Sequence, residues 1–86
     1  MSYRVEVENR AARQILTLPC NVRDRVIRLI ERLQIDPRPT GCTKLKGQSK
    51  PAWRVRVGEY RVLYRISDDE KVVRIYGVLR RDEAYR

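Results

Sequence analysis

The stretch from Trp53 to Ile66 constrains this chain more than any other. Trp53-Arg54-Val55-Arg56-Val57 alternates apolar and basic residues. Gly58-Glu59 follows, a Gly-X pair of the kind that closes a two-residue hairpin, and Tyr60-Arg61-Val62-Leu63-Tyr64-Arg65-Ile66 alternates again. With Gly58 and Glu59 as the whole loop, Val57 faces Tyr60, Arg56 faces Arg61, Val55 faces Val62 and Arg54 faces Leu63. Side chains two apart share a face of a strand. Trp53, Val55, Val57, Tyr60, Val62, Tyr64 and Ile66 therefore point to a core, and Arg54, Arg56, Arg61 and Arg65 line the opposite face. Like charges directly across a strand pair repel. A polyanion on that face reverses the sign of the effect, and guanidinium forks match phosphate geometry.

The rest of the chain fits around this hairpin. Tyr3 to Glu8 alternates and reads as a first strand with Tyr3, Val5 and Val7 inward. Asn9 is placed to cap a short helix over 10–17, with Ala11, Ala12, Ile15 and Leu16 as its buried stripe. Pro19 interrupts. A second helix over 21–35 carries Val22, Val26, Leu29, Ile30 and Leu33 on one face, while Arg23, Arg25, Arg28 and Arg32 cover the solvated side. Asp36-Pro37-Arg38-Pro39 ends it. Residues 40–52 read as a polar loop containing Lys44, Lys46 and Lys50. A turn at 67–70 leads to a last strand over 71–79. Its four-residue loop sets Tyr64 opposite Val73, Val62 opposite Ile75 and Tyr76 opposite Arg61, with Arg74 and Tyr76 on the arginine face. The expectation is one α+β domain over 1–86, ordered β-α-α-β-β-β. A small antiparallel sheet carries a helix pair on one face and leaves the other open.

Charge and composition narrow the function. The 86 residues carry a net charge of +9. Residues 1–36 hold seven basic and five acidic groups, and residues 37–86 hold thirteen and six. The positive field thus belongs to the half with the arginine face, as expected of a protein that meets nucleic acid or an acidic partner protein. The chain has no histidine, which removes the commonest zinc ligand and general base, so no metal or other cofactor is expected. Two cysteines suit a reduced, cytoplasmic protein, with a Cys20–Cys42 bridge left open by sequence. No apolar run approaches a membrane span, and no secretory leader is read at the start.

Lys44-Leu45-Lys46-Gly47, the segment from Trp53 to Tyr64, and the tail Leu79-Arg80-Arg81-Asp82-Glu83-Ala84-Tyr85-Arg86 together resemble the RelE family of bacterial type II toxin–antitoxin systems, within the RelE/ParE superfamily. The resemblance covers essentially the whole chain. It implies a ribosome-dependent endoribonuclease that cuts messenger RNA in the ribosomal A site and is silenced by an acidic, RelB-like antitoxin. By position it assigns the catalytic set to Arg54, Arg56, Arg61, Arg81 and Tyr85. Arg54 also reads as a rim charge against ribosomal RNA. Relatives carry lysines where this chain has Arg54 and Arg56, and many carry a histidine where it has Arg80. Lys44, Lys46, Lys50, Arg65, Arg74, Tyr76 and Arg80 are the expected RNA and ribosome contacts. Two rival readings share the fold: a gyrase poison of the ParE branch, and an RNA-binding module without catalysis.

Overall fold

The structure is a computed structural model that describes residues 2–47 and 49–80. The elements are β1 (Arg4–Val7), α1 (Asn9–Leu16), α2 (Cys20–Ile35), β2 (Thr43–Lys44), β3 (Trp53–Val57), β4 (Tyr60–Ser67) and β5 (Val72–Arg80). They form an α+β fold in which two helices cover one face of a five-stranded sheet, ordered β1-β5-β4-β3-β2. Within that fold the sheet departs from the expectation in two ways. It is mixed, because β1 runs parallel to β5 with Arg4 beside Val72 and Val7 beside Ile75. It also has an extra short strand, β2, which pairs antiparallel with β3 inside the segment read as loop. A parallel pair needs a long connection. Here both helices and the remaining strands lie between β1 and β5 in sequence.

The hairpin has the expected register, with Arg56 opposite Arg61 and Val57 opposite Tyr60. Gly58 has φ of +59° while Glu59 stays out of the left-handed region, a pattern that fits the II′ turn favoured in tight hairpins. The β4–β5 pairing is offset from the expected one. Tyr64 lies opposite Ile75 and Arg61 opposite Leu79, with an irregularity between Leu63 and Tyr64. Leu63 pairs with Gly77 and Tyr64 with Ile75, so Tyr76 is the extra residue of a bulge and does not face Arg61. Gly77 follows, and a Cβ there would come within 3.6 Å of Leu63 and 4.0 Å of the Gln14 side chain. The missing side chain lets α1 approach closely enough for Gln14 Oε1 to accept the Val78 N–H at 2.8 Å.

The core lies between sheet and helices. Val26, Leu29 and Leu33 of α2 and Ala11 of α1 are buried against Trp53, Val55, Val57, Val62, Tyr64, Val73, Ile75 and Val78. Each large apolar side chain so buried stabilises the fold by about 1.5–3 kcal/mol. The expected stripe of α1 is corrected at Leu16, which is 72% exposed. At 100° per residue it lies about 140° around the helix from Ala11. Leu18, beyond the helix end, turns inward instead. Asn9 is the first helical residue rather than the cap; Glu8 holds the cap position without a side-chain hydrogen bond. Cys20 and Cys42 are free thiols.

A clasp ties the loop after α2 to the opposite end of the sheet. The buried Tyr64 hydroxyl donates to the Pro37 carbonyl at 3.0 Å. Arg38 reaches Asp68 in the β4–β5 turn at 2.9 Å, and the Tyr3 hydroxyl donates to the same carboxylate at 2.7 Å. The Arg38 guanidinium also lies 5.0 Å from the centre of the Trp53 ring. The Arg38 hydrogen bonds push the Asp68 carboxyl down to about 2. The clasped loop leads into Gly41 and Thr43, which border the candidate site.

Candidate functional site

The open face of the sheet gathers three guanidinium groups in one cleft of about 300 Å³, lined by Gly41, Thr43, Arg54, Arg56 and Arg61. β3 supplies Arg54 and Arg56 from alternate positions, and β4 supplies Arg61 directly opposite Arg56. Their burial is graded. Arg56 is exposed, Arg54 half-buried and Arg61 only 1% exposed. On β4, the central strand, Arg61 is flanked by Arg56 on one side and Leu79 on the other. A cation withdrawn from water acts more strongly on an incoming anion than one in bulk solvent. Guanidinium is a poor acid and a worse base near neutral pH, since its pKa exceeds about 12. What the cleft can do chemically is hold a phosphate-like anion and stabilise its charge.

Gly41 and Thr43 were not singled out by sequence reasoning. Thr40-Gly41 reads as a loop breaker, and a two-residue strand leaves no periodic signal. The register alone places Thr43 beside Arg54.

The remaining candidates separate into groups. Arg65 and Arg74 face each other across β4 and β5, and with Lys50, Ser49 and Glu8 they line a second cleft of about 360 Å³ on the open face. The Arg65 guanidinium lies 4.4 Å from the centre of the Tyr76 ring, so Tyr76 belongs to this end of the face. Arg74 is bound to Glu6 at 2.9 Å. Hydrogen bonding by Arg74, and then by Arg4, holds the Glu6 carboxyl below its ordinary value.

Lys44 is not brought to the arginines. It pairs with Trp53, and its Nζ lies 5.9 Å from that ring on the helix side of the sheet edge. Arg80 is likewise opposite Tyr60 on the core side. It borders a cleft with Gln14, Thr17 and Leu18 and stands 3.9 Å from Glu59. Register explains both placements: Lys44 is one step from Thr43, the partner of Arg54, and Arg80, an even step from Arg74, is turned to the other face by the bulge at Tyr76. Lys46 is exposed after β2. Arg81 and Tyr85 lie outside the described residues. Among the described residues no group of three His, Cys, Asp or Glu side chains gathers as a metal site, and no helix is long and apolar enough to cross a membrane.

With fold and cleft in view, residues 5–85 match the family model of the ParE toxin of type II toxin–antitoxin systems, and the chain belongs to that family of toxins. Within it the protein is RelE-like. It is 33% identical, over all of this chain and 98% of the relative, to a Methanocaldococcus jannaschii protein described as a candidate toxin, RelE1. The crystal structure of the archaeal RelE–RelB complex from Pyrococcus horikoshii OT3 contains a similar chain, with a TM-score of 0.84 and 28% identity over 94% of this chain and 97% of that one. The RelBE2 toxin–antitoxin complex of Mycobacterium tuberculosis gives a TM-score of 0.81 and 28% identity over 94% of this chain and 100% of that one.

Proposed function

We propose that the protein is a ribosome-dependent endoribonuclease that cuts messenger RNA in the ribosomal A site, acting in the cytoplasm and held silent by an acidic, RelB-like antitoxin. The observation that carries this reading is the convergence of Arg54, Arg56 and Arg61 in one cleft, with Arg61 withdrawn from solvent. In the reaction the 2′-oxygen attacks the adjacent phosphorus and the bond to the 5′-oxygen breaks. A 2′,3′-cyclic phosphate and a 5′-hydroxyl result, and the proton of the 2′-hydroxyl is in effect returned to the leaving oxygen. Arg56 and Arg61 hold the phosphate as it becomes pentacoordinate, and donors so placed each contribute about 2–4 kcal/mol. Arg54, at the margin, positions the message or contacts ribosomal RNA. By family resemblance Arg81 protonates the leaving oxygen and Tyr85 stacks on a base or holds the 2′-hydroxyl.

The proposed chemistry is metal-independent, with much of the rate coming from positioning on the ribosome and from electrostatics. The antitoxin is inferred from the RelB-bound state of the Pyrococcus relative and from the positive charge of this chain, which an acidic segment complements. The ParE name of the matching family favours a second reading, a gyrase poison with the same fold. Incubating purified protein with messenger RNA, with and without ribosomes, and in parallel with gyrase and DNA, separates the two. Cleavage confined to ribosome-bound message, insensitive to EDTA once the complex is formed, supports the nuclease. Gyrase–DNA adducts without RNA cleavage overturn it.

A further inference from the structure

The second cleft on the open face has its own architecture. Arg65 and Arg74 stand directly opposite each other, an arrangement that repels unless it is compensated. Arg74 is compensated by Glu6, through Nε at 3.2 Å and Nη2 at 2.9 Å. Arg65 is held differently. Among the described residues it has no acidic partner, and its buried Nε has no hydrogen-bond acceptor. The Tyr76 ring fixes its guanidinium instead, at 4.4 Å. A stacked guanidinium is oriented without its charge being neutralised. Tyr76, two residues beyond Arg74 on β5, lies on the open face diagonal to Arg65. Lys50, exposed on the segment before β3, adds a second cation, and Ser49 adds a hydroxyl. Glu8 borders the same cleft, so its positive excess is smaller than that around Arg54, Arg56 and Arg61.

Arg65 lies four residues along β4 from Arg61, on the same face. At about 3.4 Å per residue their Cα atoms are about 13 Å apart, too far for one phosphate to bridge. We infer that Lys50 and Arg65, with Tyr76 orienting Arg65, form a second subsite for an RNA phosphodiester, on the same strand whose scissile phosphate occupies the Arg54–Arg56–Arg61 cleft. The assignment of that strand as substrate rests on the proposed nuclease function; the phosphate site itself does not. The smaller charge excess suits a contact that sets the register of the strand and takes no part in the chemical step. Lys50 and Arg65 are thus positioning residues.

The test uses the full chain and a single-stranded 2′-O-methyl oligonucleotide, which lacks the attacking hydroxyl. Binding is followed by fluorescence anisotropy across a salt series, for a dinucleotide and for an octanucleotide. Each phosphate contact removed lowers the slope of log K against log salt by about 0.7 for a single strand. The Lys50→Gln/Arg65→Gln variant removes the contact to one phosphate and is expected to lose about 0.7 in slope on the octanucleotide and nothing on the dinucleotide. Arg65→Lys is expected to recover part of the loss. An unchanged octanucleotide slope overturns the subsite, and so does an equal loss on both lengths, which marks a diffuse field.

On ribosomes the double variant is expected to raise the concentration needed for half-maximal single-turnover cleavage at least fivefold while leaving the saturating rate within twofold. If ribosomes without message lose affinity by the same factor, the phosphate belongs to ribosomal RNA and the strand assignment falls. Wild-type protein that cuts no message, while the octanucleotide slope still shifts as expected, leaves the phosphate subsite standing and removes the nuclease reading.

Discussion

Arg56 and Arg61 stand directly opposite one another on β3 and β4, yet Arg56 is exposed while Arg61 is 1% exposed. Two cations so placed oppose folding, and the buried one bears the larger desolvation penalty. The pair is therefore the most direct place to test the proposed phosphate clamp.

Arg61→Leu is expected to slow single-turnover cleavage on the ribosome by about two orders of magnitude or more, the usual effect of losing a transition-state donor. Thermal unfolding of the same variant is expected to show that it remains folded at the assay temperature, which separates the loss of cleavage from a loss of the fold. Arg56→Lys, at an exposed position where relatives use lysine, is expected to keep cleavage within about tenfold. Wild-type cleavage by Arg61→Leu would remove Arg61 from the site.

The Arg38–Asp68 clasp carries a pH signature. The folded-state carboxyl of Asp68 is held down at about 2, below its ordinary value near 3.8. A carboxyl lowered on folding contributes stability that is present above the unfolded value and is lost as pH falls through the folded one. Melting midpoints of the parent and Asp68→Asn are therefore expected to differ at pH 6 and to converge between about pH 4 and pH 2. A difference that persists unchanged to pH 2 would show that the ion pair is not its source.

Tyr64→Phe removes the hydroxyl that donates to the Pro37 carbonyl and leaves that oxygen unpaired in a buried position. Denaturant unfolding is expected to show a loss of about 1–3 kcal/mol. Burial pushes the Tyr64 phenol well above its ordinary value. Absorbance titration of the parent is therefore expected to show a tyrosine that resists ionisation at high pH, and the variant lacks it.

Gly58→Ala places a side chain at φ of +59°, where L-residues are strained by about 1–2 kcal/mol. Space is not the obstacle, since the added Cβ would meet the Arg25 Nη1 at an ordinary 3.5 Å. Chemical denaturation is expected to show a loss of that size. Asn, which tolerates the left-handed region better, is expected to lose less.

The charge of +9 predicts how an acidic antitoxin segment arrives. Stopped-flow association with the cognate antitoxin is expected to slow steeply between low and physiological salt, while the dissociation rate changes little. A salt-independent association rate would mean that the arginine faces play no part in the encounter.

The period-two alternation of 53–66 and the Gly58-Glu59 turn are local signals. The hairpin, its register, and the separation of core residues from Arg54, Arg56, Arg61 and Arg65 were therefore legible in the amino-acid order. The helix pair, whose apolar faces recur at three and four, was legible too, as was the family resemblance. Pairing that depends on non-local partners was not. β1 runs parallel to β5, and every other element lies between the two in sequence, so no local signal announces the pairing. The β4–β5 turn closes at Ser67 and Val72, one residue later on each strand than expected, and this offset carries Tyr76 from Arg61 toward Arg65; the bulge at Tyr76 then shifts the rest of β5 by one more residue, and composition gives no sign of either. Lys44 and Arg80, expected as RNA or ribosome contacts from a loop and a tail, belong instead to strands whose register sets both on the side away from the arginines. Alternation says which way Arg61 points. Its burial, and its place between Arg56 and Leu79 on the central strand, are properties of the assembled sheet.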